Sequence, residues 1–229
     1  MLQLIRREVT KTTKDILMGA PPFNPNFDGN ALAWYDGDVG LSVASWLDQS
    51  GNGYTLTNTN NPTVISPAIN GHDALLFNGT TQQAANTTIP TNVPTSVYFV
   101  LKVVSWVNGR RISQSTTATA NLLWFAGASP NIQAFNNLTI DTSPNLAVGS
   151  YGIITVVWNG ATSELRTGDN VAVAGDTGAG TGMGFTLANN NGGGSHANIE
   201  VAYVIVRTGA DSTAKQDKII NWLKSHFAL

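Results

Sequence analysis

Two stretches constrain this chain most: SVYFVLKVV at 96–104 and IEVAYVIV at 199–206. Each is an almost unbroken run of β-branched, aromatic and aliphatic side chains. Runs this short and this apolar read as strands covered on both faces, since a strand with one wet face would alternate apolar with polar. The segments ALAWY (31–35), NLLWFAG (121–127) and YGIITVVW (151–158) are further strand candidates. Between them lie the punctuators DGD, SGNG, FNGT, WVNG, WNGA, RTGD and NNNGGGS. Asn-Gly pairs favour type I′ hairpin turns, because both residues tolerate positive φ. WNGATSELRTG therefore reads as a hairpin turning at Asn159-Gly160. No fixed repeat period appears.

One helix closes the chain. Ile219, Ile220, Leu223 and Phe227 recur at helical spacing with Trp222 beside them, Lys215, Lys218 and Lys224 sit between, and Asp211 or Ser212 serves as cap. Residues 1–19 stand apart: they hold Arg6, Arg7, Lys11 and Lys14, with Leu2, Leu4, Ile5, Val9, Ile16 and Leu17 at weak helical spacing. The following APPFNPNFDGN is rich in Pro, Asn and Gly and reads as an extended linker. The expected organisation is an N-terminal arm and linker over 1–30 and one globular body over 31–229. The expected fold is all-β, a two-sheet antiparallel jelly-roll sandwich with one C-terminal α-helix and an N-terminal arm.

Composition narrows the function. The 229 residues are 42% hydrophobic, enough for a large core, but only 11% charged, so the surface must be built from Asn, Thr, Ser, Gln and Gly. The net charge of -2 and the absence of a basic run argue against nucleic acid as a partner. There is no cysteine, which removes disulfides, thiolate metal sites and a Cys nucleophile. No apolar run reaches the length of a membrane span, and the N-terminus lacks the apolar core of a secretory signal.

Candidate binding residues follow from residue type. A sugar needs an aromatic face beside amides or a cation. Trp34, Trp46, Trp124 and Trp158 lie in apolar strands or beside one and read as core. Trp106 precedes a loop, so Trp106, Asn108 and Arg110 form one ligand-binding candidate; Tyr54 is another, and Asn190 and His196 mark the Asn-rich tip. For a metal, Asp36, Asp38 and Asp48 flank adjacent early segments and are the candidates for an oxygen-ligated ion, with Ca2+ the cofactor considered. Their alternative role is to accept hydrogen bonds from turn amides. Hydrolysis of a glycoside needs two facing carboxylates. The glutamates are only Glu8, Glu164 and Glu200, and His72, His196 and His226 form no cluster with Arg110, Arg111, Arg166 and Arg207 along the sequence. No catalytic residue is assigned.

Three motifs then suggest a family: ALAWYDG followed by VASWLDQSGNGYTLT, PAINGHDALLFNGTTQQ, and the late strand IEVAYVIVRTGADS running into TAKQDKIINWLKSHF. In order and spacing over about 31–229 they resemble the concanavalin A-like lectin/glucanase superfamily, in particular the laminin-G-like domains of phage and bacterial surface proteins. The resemblance implies a jelly-roll sandwich. It departs at Phe77-Asn78-Gly79, where no acidic pair follows, so a calcium site there is not inherited. Nothing matches the Glu-x-Asp-x-x-Glu motif of the superfamily's glucanases. Taken with the arm and the missing signal, the resemblance implies a non-enzymatic virion surface protein: a phage head fibre, decoration or tail-fibre-like subunit. Residues 1–20 would dock to other virion proteins, the sandwich would meet glycans, and a homotrimer is the candidate assembly. The alternatives are a free carbohydrate-binding lectin and, less favoured, a polysaccharide hydrolase or lyase.

Overall fold

The structure is a computed structural model that describes residues 24–117, 119–127, 131–141, 146–190 and 192–229. The arm at 1–23 lies outside the described residues. The remainder is a two-sheet antiparallel sandwich with a C-terminal helix, α1 (Thr213–Phe227), as the sequence predicts.

The two long apolar runs become β7 (Thr95–Ser105) and β16 (Asn198–Thr208), adjacent and antiparallel at the centre of the first sheet. Both are covered on both faces. Val97, Phe99, Leu101 and Val103 of β7 enter the core between the sheets, and Tyr98 and Val100 lie under the helix. In β16, Ile199, Val201, Val204 and Val206 face the sandwich core, whereas Ala202, Tyr203 and Ile205 face the helix. Two successive residues, Ala202 and Tyr203, share the helix side because the ladder slips between Val201 and Tyr203. Such a bulge resets the parity of a strand. β16 pairs along its first part with β5 (His72–Asn78) and along its second with β1 (Ala31–Asp36). Outward from β7 run β12 (Tyr151–Trp158), β13 (Ser163–Thr167) and β14 (Val173–Gly175); outward from β5 lies β4 (Thr63–Ile69).

The second sheet runs in the order β11 (Thr139–Asp141), β10 (Asn131–Phe135), β9 (Leu122–Ala126), β8 (Arg111–Gln114), β15 (Phe185–Leu187), β6 (Gln83–Asn86), β3 (Leu56–Thr59) and β2 (Ser45–Trp46). Its inward side chains, among them Leu56, Ala84, Phe185, Ile112, Phe125 and Ile132, meet those of the first sheet. Among the described residues no helix lies on its outer face.

Local details differ from expectation at two points. Asn159-Gly160 does not form a two-residue turn: Gly160–Thr162 is a 3-10 turn, and Ser163 Oγ donates to Gly160 O while accepting from Asn159 N–H. The helix begins after Ser212, whose hydroxyl makes no capping bond. Asp211 is otherwise engaged: its carboxylate takes hydrogen bonds from Arg207 Nε at 2.7 Å and from the Tyr98 hydroxyl at 2.8 Å.

That carboxylate belongs to a buried ionic node. The fully buried Arg207 donates to Asp211, to both oxygens of Asp28 at 2.7 Å and to Pro25 O at 2.6 Å. The node pins 24–30, with Phe27 against the helix cluster, onto the end of β16 and the start of α1. Burial alone would raise the Asp28 carboxyl, but the Arg207 guanidinium and the Lys215 ammonium outweigh it and hold Asp28 well below the usual carboxylate range. A group depressed in this way adds stability above its unfolded value, about pH 4, and loses it as pH falls through the folded value. Arg207→Met should therefore lower unfolding free energy by about 3–5 kcal/mol near neutral pH. In urea titrations the gap between variant and parent should narrow as pH drops from about 5 to about 2. A gap independent of pH would separate Asp28 from the node's stability.

Candidate functional site

The outer face of the second sheet is the candidate site, because strand alternation loads it with polar groups. Thr59 on β3 pairs with Gln83 on β6, and Ala85 on β6 pairs with Thr186 on β15. Arg111 on β8 pairs with Trp124 on β9, which pairs with Gln133 on β10, which pairs with Asp141 on β11. The neighbours of these residues in sequence, such as Ala84, Phe185, Phe125 and Ile132, are buried in the core. The face thus presents hydroxyls and amides together with the Arg111 guanidinium, the Trp124 indole and the Asp141 carboxylate.

A groove of about 320 Å³ opens on this face. Thr59, Gln83 and Thr186 form its floor, and Asn189, Asn190 and His196 form a wall from the Asn-rich tip. The wall is braced: Asn189 donates to Gln83 Oε1 and accepts from Ser195 N–H, and the buried His196 has Nδ1 3.0 Å from Gln82 O. The backbone of His196 bridges to that of Arg111, whose side chain lies outside the groove on the same sheet.

The Arg111 guanidinium lies over the Trp124 ring, 4.7 Å from its centroid. Its Nε and Nη1, and the indole Nε1 of Trp124, are buried and have no hydrogen-bond partner. Burial pushes the Arg111 pKa down. Buried donors without acceptors are costly.

The predicted residues are divided among several places. Asn190 and His196 line the groove; Arg110 and His196 line a neighbouring hollow beside Asn78 and Asn198, where Arg110 Nη1 donates to Gly194 O at 2.8 Å. Trp106 is half-buried, packed 4.4 Å from Phe125, and donates to Gly127 O; Asn108 accepts from Gly127 N–H. Tyr54 packs against the core, and its carbonyl accepts from the Tyr35 hydroxyl. Trp46 and Trp158 are core, but Trp124 and Trp34 are only half-buried, contrary to the core reading of all four. Trp34 belongs to a separate cleft with Asp36, Tyr203, Trp222 and His226.

The three aspartates also part company. Asp48 accepts from Trp34 N–H, Ser50 N–H, the Ser50 hydroxyl and Tyr54 N–H, and so organises the DQSGNG turn. Gly51 and Gly53, at φ +88° and +78°, supply the left-handed backbone the turn needs. Asp36 is half-buried; burial raises its pKa, and its Oδ1 accepts from Asp38 N–H. Asp38 contacts His72 instead of Asp48. Asp48→Ala removes the two oxygens that accept four hydrogen bonds and should cost about 2–4 kcal/mol in chemical denaturation. A loss under about 0.5 kcal/mol would deny Asp48 its organising role.

No family model matches the chain, and no curated protein matches it. Solved structures do share the fold. Domain 4 of an extracellular arabinanase from Geobacillus stearothermophilus, in complex with arabinotriose, aligns with TM-score 0.64 at 12% identity over 83% of this chain and 98% of that one. A Trypanosoma rangeli sialidase in complex with sialic acid aligns with TM-score 0.63 at 11% identity over 91% of this chain and 34% of that one. A mutant α-L-arabinofuranosidase soaked with 4-nitrophenyl α-L-arabinofuranoside aligns with TM-score 0.65 at 11% identity over 80% and 51%. The chain therefore spans about a third of the sialidase and half of the arabinofuranosidase.

These likenesses establish the two-sheet β-sandwich fold. They also correct the expectation that the chain is not an enzyme, because its structural neighbours are chains of glycosidases. The fold gives no ground for setting catalysis aside. Of the two described glutamates, Glu200 accepts from the Tyr151 hydroxyl and pairs with Lys102, and Glu164 accepts from Gln216.

Proposed function

We propose that this chain binds glycans along the outer face of its second sheet, with arabinose-containing oligosaccharides the first class to test. The observation that carries the reading is an uncovered, hydroxyl- and amide-lined groove on the sheet that also carries the stacked Arg111–Trp124 pair. Sugar hydroxyls are acceptors and donors of the right kind for Thr, Asn and Gln side chains. The scarcity of charge suits a neutral polyol, which gains little from ion pairing. The arabinotriose held by the arabinanase domain supports the choice of sugar.

The motif order over 31–229 supports placing the sandwich with laminin-G-like domains, and the basic, partly amphipathic sequence at 1–20 supports a role in attaching it to a virion or similar particle. A chain lacking 1–20 should keep its sugar affinity and lose its particle; retention on the particle would contradict the attachment.

Titration calorimetry with arabino-oligosaccharides tests the binding face. Arg111→Ala should weaken binding by about 10- to 100-fold, the value of a hydrogen bond to a charged group. Trp124→Ala should weaken it by about tenfold, and Trp222→Ala, in the separate cleft, should not change it. Loss of binding in Trp222→Ala with Arg111→Ala unaffected would move the site to that cleft. Absence of binding across arabinan, sialylated and bacterial glycans would overturn the reading.

A further inference from the structure

At the opposite side of the molecule, three ligating side chains converge from distant parts of the sequence. Asp38 follows β1, His72 begins β5, and His226 lies in the last turn of α1. One ligand atom from each lies within 4.8 Å of the others. The His72 and His226 rings are 4.5 Å apart.

The hydrogen-bond inventory around His72 is informative. Its Nε2 is 2.9 Å from the backbone carbonyl of His226, which can only accept, so Nε2 carries the hydrogen. Its Nδ1 is 2.6 Å from Asp38 Oδ2, also an acceptor. Between Nδ1 and the carboxylate there must be a proton or another cation. A carbonyl holding the far nitrogen of an imidazole is the usual support for a metal-binding histidine, because it fixes the tautomer and aims the other lone pair. The remaining ring, His226, has Nε2 buried with no partner.

The surroundings are built to hold this arrangement. Asp38 Oδ1 accepts from Asp73 N–H at 2.8 Å, which fixes the carboxylate. Gly37 lets the chain come this close to β5: a Cβ there would lie 2.0 Å from Asp73 O. Asn70 Nδ2 donates to Phe227 O at 2.6 Å, tying the helix end to the turn before His72. Asp36 lies near enough to interact electrostatically with both imidazoles and adds negative charge to the site.

From this geometry we propose that Asp38, His72 and His226 bind a divalent transition metal of the Zn2+ type, which clamps the end of α1 to the first sheet. Two imidazoles and one carboxylate form a set suited to Zn2+, whereas Ca2+ prefers six or more oxygens. Opening the Asp38–His72 contact from 2.6 Å to about 3.4 Å would seat a tetrahedral ion about 2.0–2.2 Å from both. Water completes the coordination. Because His226 stacks on Trp222 at 4.9 Å and both line the aromatic cleft, the ion would also set one wall of that cleft.

The test uses the full-length, untagged chain stripped with a chelator. Zn2+ at about a hundred-fold excess over its Kd should raise the melting temperature by about 5–10 °C, and Ca2+ at equal concentration should not. His226→Gln and Asp38→Asn should each reduce Zn2+ affinity by at least about tenfold, and His196→Ala should leave it unchanged. Co2+ added to the wild-type chain should give the visible absorption bands of a tetrahedral site, a readout independent of whether any variant folds. Zn2+ binding that survives in His226→Gln, a tetrahedral Co2+ spectrum lost only in His196→Ala, or no Zn2+ binding by the wild-type chain would each overturn the proposal.

Discussion

A sandwich of two sheets has four faces, and the described chain has one α-helix with which to cover them. Two faces bury each other. The helix takes the third, laying Ile219, Ile220, Leu223 and Phe227 on Tyr98, Val100, Tyr203 and Ile205. The fourth must meet water. In a chain with 11% charged residues it does so mostly with uncharged polar groups. The Thr, Gln and Asn character of the second sheet's outer face is thus first a folding requirement, and its capacity to meet sugar hydroxyls follows from the same chemistry. What exceeds the requirement is the stacking of the Arg111 guanidinium on the Trp124 ring.

The helix needs fixing at both ends, and the chain uses polar devices for each. At its start the buried Arg207 joins Asp211 to Asp28 and draws 24–30 across the end of β16. At its finish His226, Phe227 and Ala228 meet His72 and Asn70. A buried ion pair adds little net energy over an apolar substitute but is expensive to break, so such nodes specify position more than they add stability. Here they specify which sheet is covered, and so which is left open.

Much of this was legible in the sequence. SVYFVLKVV and IEVAYVIV announced strands with two dry faces, and the spacing of Ile219 to Phe227 announced their cover. Trp124 could have been read correctly: in NLLWFAG it sits at the opposite parity to Leu123 and Phe125, which both enter the core. Arg111 offered less, since only the pairing of β8 with β9 places it over that ring. Asp38, His72 and His226 offered least. They are 34 and 154 positions apart, and their meeting depends on β1, β5 and the helix all docking on β16. The bulge at Val201 to Tyr203, which resets what faces the helix, leaves no mark in an unbroken apolar run.

The central claim is that the open face of the second sheet is the ligand face. Backbone amide shifts mapped by NMR during titration with an arabino-oligosaccharide test it most directly. Perturbations should concentrate at Gln83, Arg111, Trp124, Thr186 and the tip around Asn190, with β7, β16 and the helix unmoved. Perturbations confined to Trp34, Tyr203 and Trp222 would contradict it.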